Sequence, residues 1–128
     1  MSSPKRKQIL LMDDSVLAID VARDALEQEG YAVACALDLA QFETHMAESK
    51  PDLVLMDVQM PEVFGDDIGM VVRTVRGIDV PIFLYSMLDE EELAERARAA
   101  EIDGYICKRN GVTVLLERVR SILGGASS

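Results

Sequence analysis

The sequence predicts an α/β fold in which helices cover both faces of a five-stranded parallel sheet. Three observations carry that expectation. Five short runs rich in Val, Ile, Leu and Met alternate with five segments of helical periodicity. Most of the runs are apolar almost throughout, as in strands buried on both faces, and do not merely alternate apolar with polar. Strands joined through single helices need crossover connections, which are right-handed and leave the strands parallel.

The apolar runs are 8–12, 31–36, 52–56, 80–85 and 105–107. In the first helical segment Val16, Ile19, Ala22 and Leu26 recur at intervals of three and four, after a cap at Ser15 and before a terminating Gly30. Asp38 caps a second helix carrying Leu39, Phe42 and Met46, and a third runs from about residue 65 to 76. The fourth opens on Asp89, Glu90, Glu91 and Glu92, a negative run favoured by the helix dipole. The fifth is the most regular. Val112, Leu115, Leu116, Val119, Ile122 and Leu123 form one stripe, with Glu117, Arg118 and Arg120 off it. Five such units fit a flavodoxin-like (βα)5 three-layer sandwich with strand order 2-1-3-4-5.

The 128 residues suit one domain, and 49% hydrophobic residues suffice for a core without a structural metal. The expected boundaries are a tail at 1–7, the domain at 8–123 and a stub at 124–128. Gly124-Gly-Ala-Ser-Ser128 suits a natural C-terminus as well as a linker toward an effector domain. A net charge of −10 weighs against direct nucleic-acid binding. Lys5, Arg6 and Lys7 read as a solvated chain end. No segment reaches the ~20 apolar residues of a membrane span, and the first apolar run is too short for a signal peptide. The expected location is therefore the cytoplasm.

Cys35 and Cys107 lack the spacing of a metal or redox pair. The predicted strand order puts them on opposite edges, roughly 19 Å apart. They should be buried thiols. His45, the only histidine, reads as a surface or packing residue.

In this strand order, ligands bind beyond the carboxyl ends of the strands, where the order reverses between strands 1 and 3. Strand 1 runs into Asp13 and Asp14, and strand 3 into Asp57. Three carboxylates should therefore converge. Such crowding raises pKa values or demands a cation, and oxygen ligands favour Mg²⁺. Strand 4 ends in Ser86 and strand 5 is followed by Lys108. Each of these taken singly reads as a turn residue, a loop hydroxyl or a solvated charge. Taken together they make a phosphoryl-transfer set: a carboxylate nucleophile, a metal, a hydroxyl and a cation.

The chain resembles the receiver domain of two-component signalling over essentially its whole folded length. The resemblance rests on Ile9-Leu-Leu-Met-Asp-Asp14, Pro51-Asp-Leu-Val-Leu-Met-Asp57, Met60-Pro61, Gly65, Pro81-Ile-Phe-Leu-Tyr-Ser86 and Gly104-Tyr-Ile-Cys-Lys108. It implies that Asp57 accepts a phosphoryl group from a histidine kinase or phosphotransfer protein. It implies Mg²⁺ held by Asp14, Asp57 and the backbone carbonyl of Gln59, with Asp13 acting through water. Ser86 and Lys108 would bond the phosphoryl oxygens. Tyr105, otherwise a core or edge aromatic, would be a switch coupled to Ser86. The chain would be a phosphoacceptor domain with slow autodephosphorylation, not an enzyme in its own right. Its output surface would be the fourth helix, fifth strand and fifth helix, engaging a downstream protein, an effector domain or a second copy.

Two positions depart from the family pattern. Arg109 replaces the usual proline after the lysine, and a trans bond is expected there because a non-proline cis bond costs ~2.5–4 kcal/mol. Met87 stands where a small residue is usual and, with Leu88, is expected to restrict access to Asp57 and slow hydrolysis. They keep open a second reading, a pseudo-receiver that binds partners without phosphorylation. A phosphatase or flavin protein fits poorly. Asp13-Asp14-Ser15 lacks the phosphatase motif, and its acids would repel a flavin phosphate.

Overall fold

The computed structural model describes residues 6–13, 15–48, 50–57 and 80–124. The predicted third helix, Asp14 and Gln59 lie outside them. The strands are β1 (Gln8–Met12), β2 (Ala32–Ala36), β3 (Leu53–Met56), β4 (Ile82–Ser86) and β5 (Gly104–Cys107). The described helices are α1 (Val16–Gln28), α2 (Leu39–Glu48), α3 (Glu90–Ala99) and α4 (Gly111–Leu123), the last preceded by a 3₁₀ turn at Lys108–Asn110. All four strand pairings are parallel, in the order β2-β1-β3-β4-β5. This is the flavodoxin-like arrangement expected.

Side-chain alternation along the strands builds two cores. Leu10, Met12, Val54, Met56, Ile82 and Leu84 pack toward Phe42 of α2 and Leu93 of α3. Ile9, Leu11, Leu53, Leu55, Phe83 and Tyr85 pack toward Ile19 and Leu26 of α1 and Leu115 and Val119 of α4. The sheet is thus the middle of three layers, which explains its continuous apolar runs.

The helix ends follow the signals in the sequence. Ser15 accepts from the Ala18 N–H at 3.2 Å, and Asp38 from the Gln41 N–H at 2.8 Å. Asp89 accepts from the Glu92 N–H at 2.8 Å. Gly30 ends α1 at φ 99°, with Gly30 N–H donating to the Glu27 carbonyl and Tyr31 N–H to the Leu26 carbonyl. That is a Schellman ending, sealed by Tyr31 and Leu26 in the same core.

Three expectations need correction. Val16 is 58% exposed and not core, because it opens α1 while the buried stripe begins at Ile19. Cys35 is only half-buried, on an edge strand, whereas Cys107 is buried as expected. Several strand bounds shift by one or two residues. Tyr31 gives its N–H to the helix ending instead of to a neighbouring strand. Pro81 has no N–H to give, so β4 begins at Ile82.

Gly104 is required by packing. A Cβ there would lie 2.7 Å from Phe83 Cε2, on a buried ring that also faces the Arg118 guanidinium at 5.9 Å. Gly104→Ala is expected to cost about 1–3 kcal/mol. The check is a lower urea midpoint with an unchanged slope.

Candidate functional site

The ladder carries two carboxylates just past the ends of adjacent strands. Asp13 N–H donates to the Ala36 carbonyl at 3.1 Å, and Asp57 N–H to the Met12 carbonyl at 2.9 Å. The backbone pairing that orders β2, β1 and β3 therefore also fixes these two residues. Asp13 and Asp57 are buried, at 2% and 6% exposure.

Lys108 joins them. Its Nζ donates to Asp13 Oδ2 and, at 3.0 Å, to Asp57 Oδ2. The second Asp13 oxygen accepts from the Ser15 N–H at 2.9 Å, so the cap of α1 also orients the acid. Burial alone would lower the pKa of the Lys108 ammonium. Its hydrogen bonds to the two aspartates, reinforced by their charge, outweigh that and hold it above the ordinary 10.5. Two buried carboxylates against one ammonium leave a net negative charge, which suits a hard cation with oxygen ligands. Among the described residues no three acidic, histidine or cysteine side chains form a metal cluster. Of the expected ligands, Asp14 and the Gln59 carbonyl lie outside those residues.

Ser86 is fully buried at the end of β4, and its hydroxyl accepts from the Leu88 N–H at 3.4 Å. It shares a sheet face with Tyr105, which is half-buried against the α2/α3 core. Met87 is 50% exposed, and Leu88 packs against that same core. The Lys108–Arg109 bond is trans, as expected. His45 is a packing residue, its ring nitrogen 3.0 Å from the Cys35 carbonyl.

Sequence reasoning missed Tyr85. Its ring centre lies 5.3 Å from Lys108 Nζ, a cation–π contact that helps hold the ammonium over the acids. Burial, with Asp13 adding to it, raises the Tyr85 pKa against the pull of Lys108, so the phenol stays neutral. Its place directly before the strand-end serine was the available signal, but alternation assigns it to the opposite core. The contact of Arg109 Nε with the Met87 carbonyl at 2.6 Å was also not foreseen.

The fold and the buried acids at the ends of β1 and β3 stand in a chain with known relatives. The model for the response regulator receiver domain matches residues 9–120, and the chain belongs to that family. Its relatives include the polar-differentiation response regulator DivK of Brucella anthropi, 32% identical over 94% of this chain and 98% of that protein. The Brucella ovis DivK is 30% identical with the same coverage. Among solved structures, the chemotaxis protein CheY4 of Vibrio cholerae superposes with a TM-score of 0.81 at 20% identity, over 92% of this chain and 99% of that one. A response regulator from Thermotoga maritima gives 0.80 at 25% identity, over 94% and 100%. Among the described residues no helix is long and apolar enough to cross a membrane.

Proposed function

We propose that this receiver domain is a phosphorylation-controlled switch in the cytoplasm with Asp57 as its acceptor. The observation that carries the reading is the buried Asp13–Lys108–Asp57 bridge at the reversal of strand order. In the proposed step an Asp57 carboxylate oxygen forms a bond to phosphorus. The bond from phosphorus to the donor's imidazole nitrogen breaks, and the imidazole takes up a proton. The donor is a histidine kinase or a phosphotransfer protein.

Mg²⁺, held by Asp14, Asp57 and the Gln59 carbonyl with Asp13 acting through water, would neutralise charge on the transferring oxygens. Lys108 adds a fixed positive charge beside Asp57, and Ser86 supplies a hydroxyl donor to the product. Phosphorylation brings roughly −1.5 to −2 charges, so Lys108 and Ser86 bond differently before and after. Movement of Ser86 toward the new group leaves space that Tyr105 fills. The change reaches the surface of α3, β5 and α4, where a downstream partner, an effector domain or a second copy binds. Met87, with Leu88 and Arg109 beside it, restricts the approach of water and prolongs the aspartyl phosphate.

Incubation with acetyl phosphate should label the protein only when Mg²⁺ is present. Absence of label with Mg²⁺ and every donor supplied would overturn this reading and leave a phosphorylation-independent interaction module.

A further inference from the structure

Lys108 is flanked by two residues that grip the loop between β4 and α3. Cys107 Sγ donates to the Leu88 carbonyl at 3.2 Å, and Arg109 Nε donates to the Met87 carbonyl at 2.6 Å. Lys108, between them, bonds Asp13 and Asp57. Within the loop, the Leu88 N–H donates to the Ser86 hydroxyl. One three-residue segment therefore touches both carboxylates of the site and the loop that follows Ser86. A proline at position 109 would have no side-chain donor for this purpose. Arginine supplies a charged one, and charge-assisted hydrogen bonds are the stronger kind.

We propose that Arg109 is a positioning residue whose guanidinium tethers the β4–α3 loop in its unmodified position and so opposes the loop's movement toward a group on Asp57. The proposal rests on the reading of Asp57 as acceptor. The Ser86 hydroxyl accepts from the Leu88 N–H, so a shift of Ser86 toward a phosphoryl oxygen either breaks that bond or carries the loop with it. The Met87 and Leu88 carbonyls ride on the same stretch of backbone, so that movement strains the Arg109 contact. An interaction present in one state and lost in the other biases the equilibrium by its own strength. For a hydrogen bond to a charged donor the bias is about tenfold.

A different role for Arg109, attraction of the anionic group by its charge, predicts the opposite sign. Removing a tether strengthens binding at Asp57, whereas removing an attracting cation weakens it. Beryllofluoride with Mg²⁺ is the probe, its binding followed by amide resonances of the full chain. Arg109→Ala should tighten beryllofluoride binding about tenfold, and the gain should persist at high salt because a tether is not a screened charge. Weaker or unchanged binding overturns the proposal.

Amide exchange in the unmodified protein gives a second readout, independent of phosphorylation. The Leu88 amide, bonded to the Ser86 hydroxyl, should exchange about tenfold faster in Arg109→Ala, with a fall in melting temperature of no more than about 5 °C. Unchanged exchange overturns the tether whatever beryllofluoride does. Failure of the wild-type protein to bind beryllofluoride overturns the acceptor reading instead, and exchange alone then decides whether Arg109 holds the loop.

Discussion

Asp57→Asn is expected to reduce labelling by acetyl phosphate and Mg²⁺ to background while leaving the fold nearly as stable as before. The asparagine keeps the size of the aspartate and an oxygen that can accept from Lys108. What it loses is the carboxylate charge that makes an acyl phosphate accessible. Lys108 retains its ion pair with Asp13, and no buried carboxylate is left without a cation. Stability should therefore change by about 1 kcal/mol or less. Loss of label with an intact melting curve separates chemistry from folding. Persistent labelling of the variant would remove Asp57 from the mechanism.

Lys108→Ala should have its largest effect on stability. The side chains of Asp13 and Asp57 are 3% and 8% exposed, and Lys108 is the cation they share. Removing one partner from a buried ion pair costs about 3–5 kcal/mol, mostly through the charge left behind. Mg²⁺ should restore part of that loss, since it binds the folded acids and not the unfolded chain. Denaturant melts with and without Mg²⁺ check both points, and a variant as stable as wild type without metal would contradict the geometry.

The pH dependence has a definite sign. The Lys108 pKa is raised on folding, so its stabilisation is fully present below 10.5 and is lost as pH rises through the higher folded value. The difference between wild type and Lys108→Ala should be flat from about pH 7 to about pH 9 and shrink only in stronger alkali.

Much of this molecule was legible in the sequence because its signals are local. Asp38 and Asp89 announce their helices through caps, Gly30 ends α1 by its backbone freedom, and the strand runs are apolar because both faces are covered. The convergence of Asp13, Asp57 and Lys108 was also legible, since strand order sets the ends of β1 and β3 side by side and puts Lys108 on the same rim, from which its long side chain reaches across to them. Contacts that cross between elements were not. Tyr85 alternates away from Ser86 into the α1/α4 core, yet Lys108 reaches over its ring from the turn after β5. Arg109 read only as a missing proline, because the Met87 carbonyl it bonds lies 22 residues earlier in the chain. Val16 matched the helical period but stands ahead of the buried stripe, so periodicity alone overstated its burial.

The most direct test is to locate the phosphoryl group itself. The full chain is labelled with acetyl phosphate and Mg²⁺, the acyl phosphate is trapped by borohydride reduction, and the reduced residue is identified by peptide sequencing. Reduction is expected at Asp57 and nowhere else. Reduction at Asp13 or Asp14, or a stable phosphoryl group on His45, would contradict it.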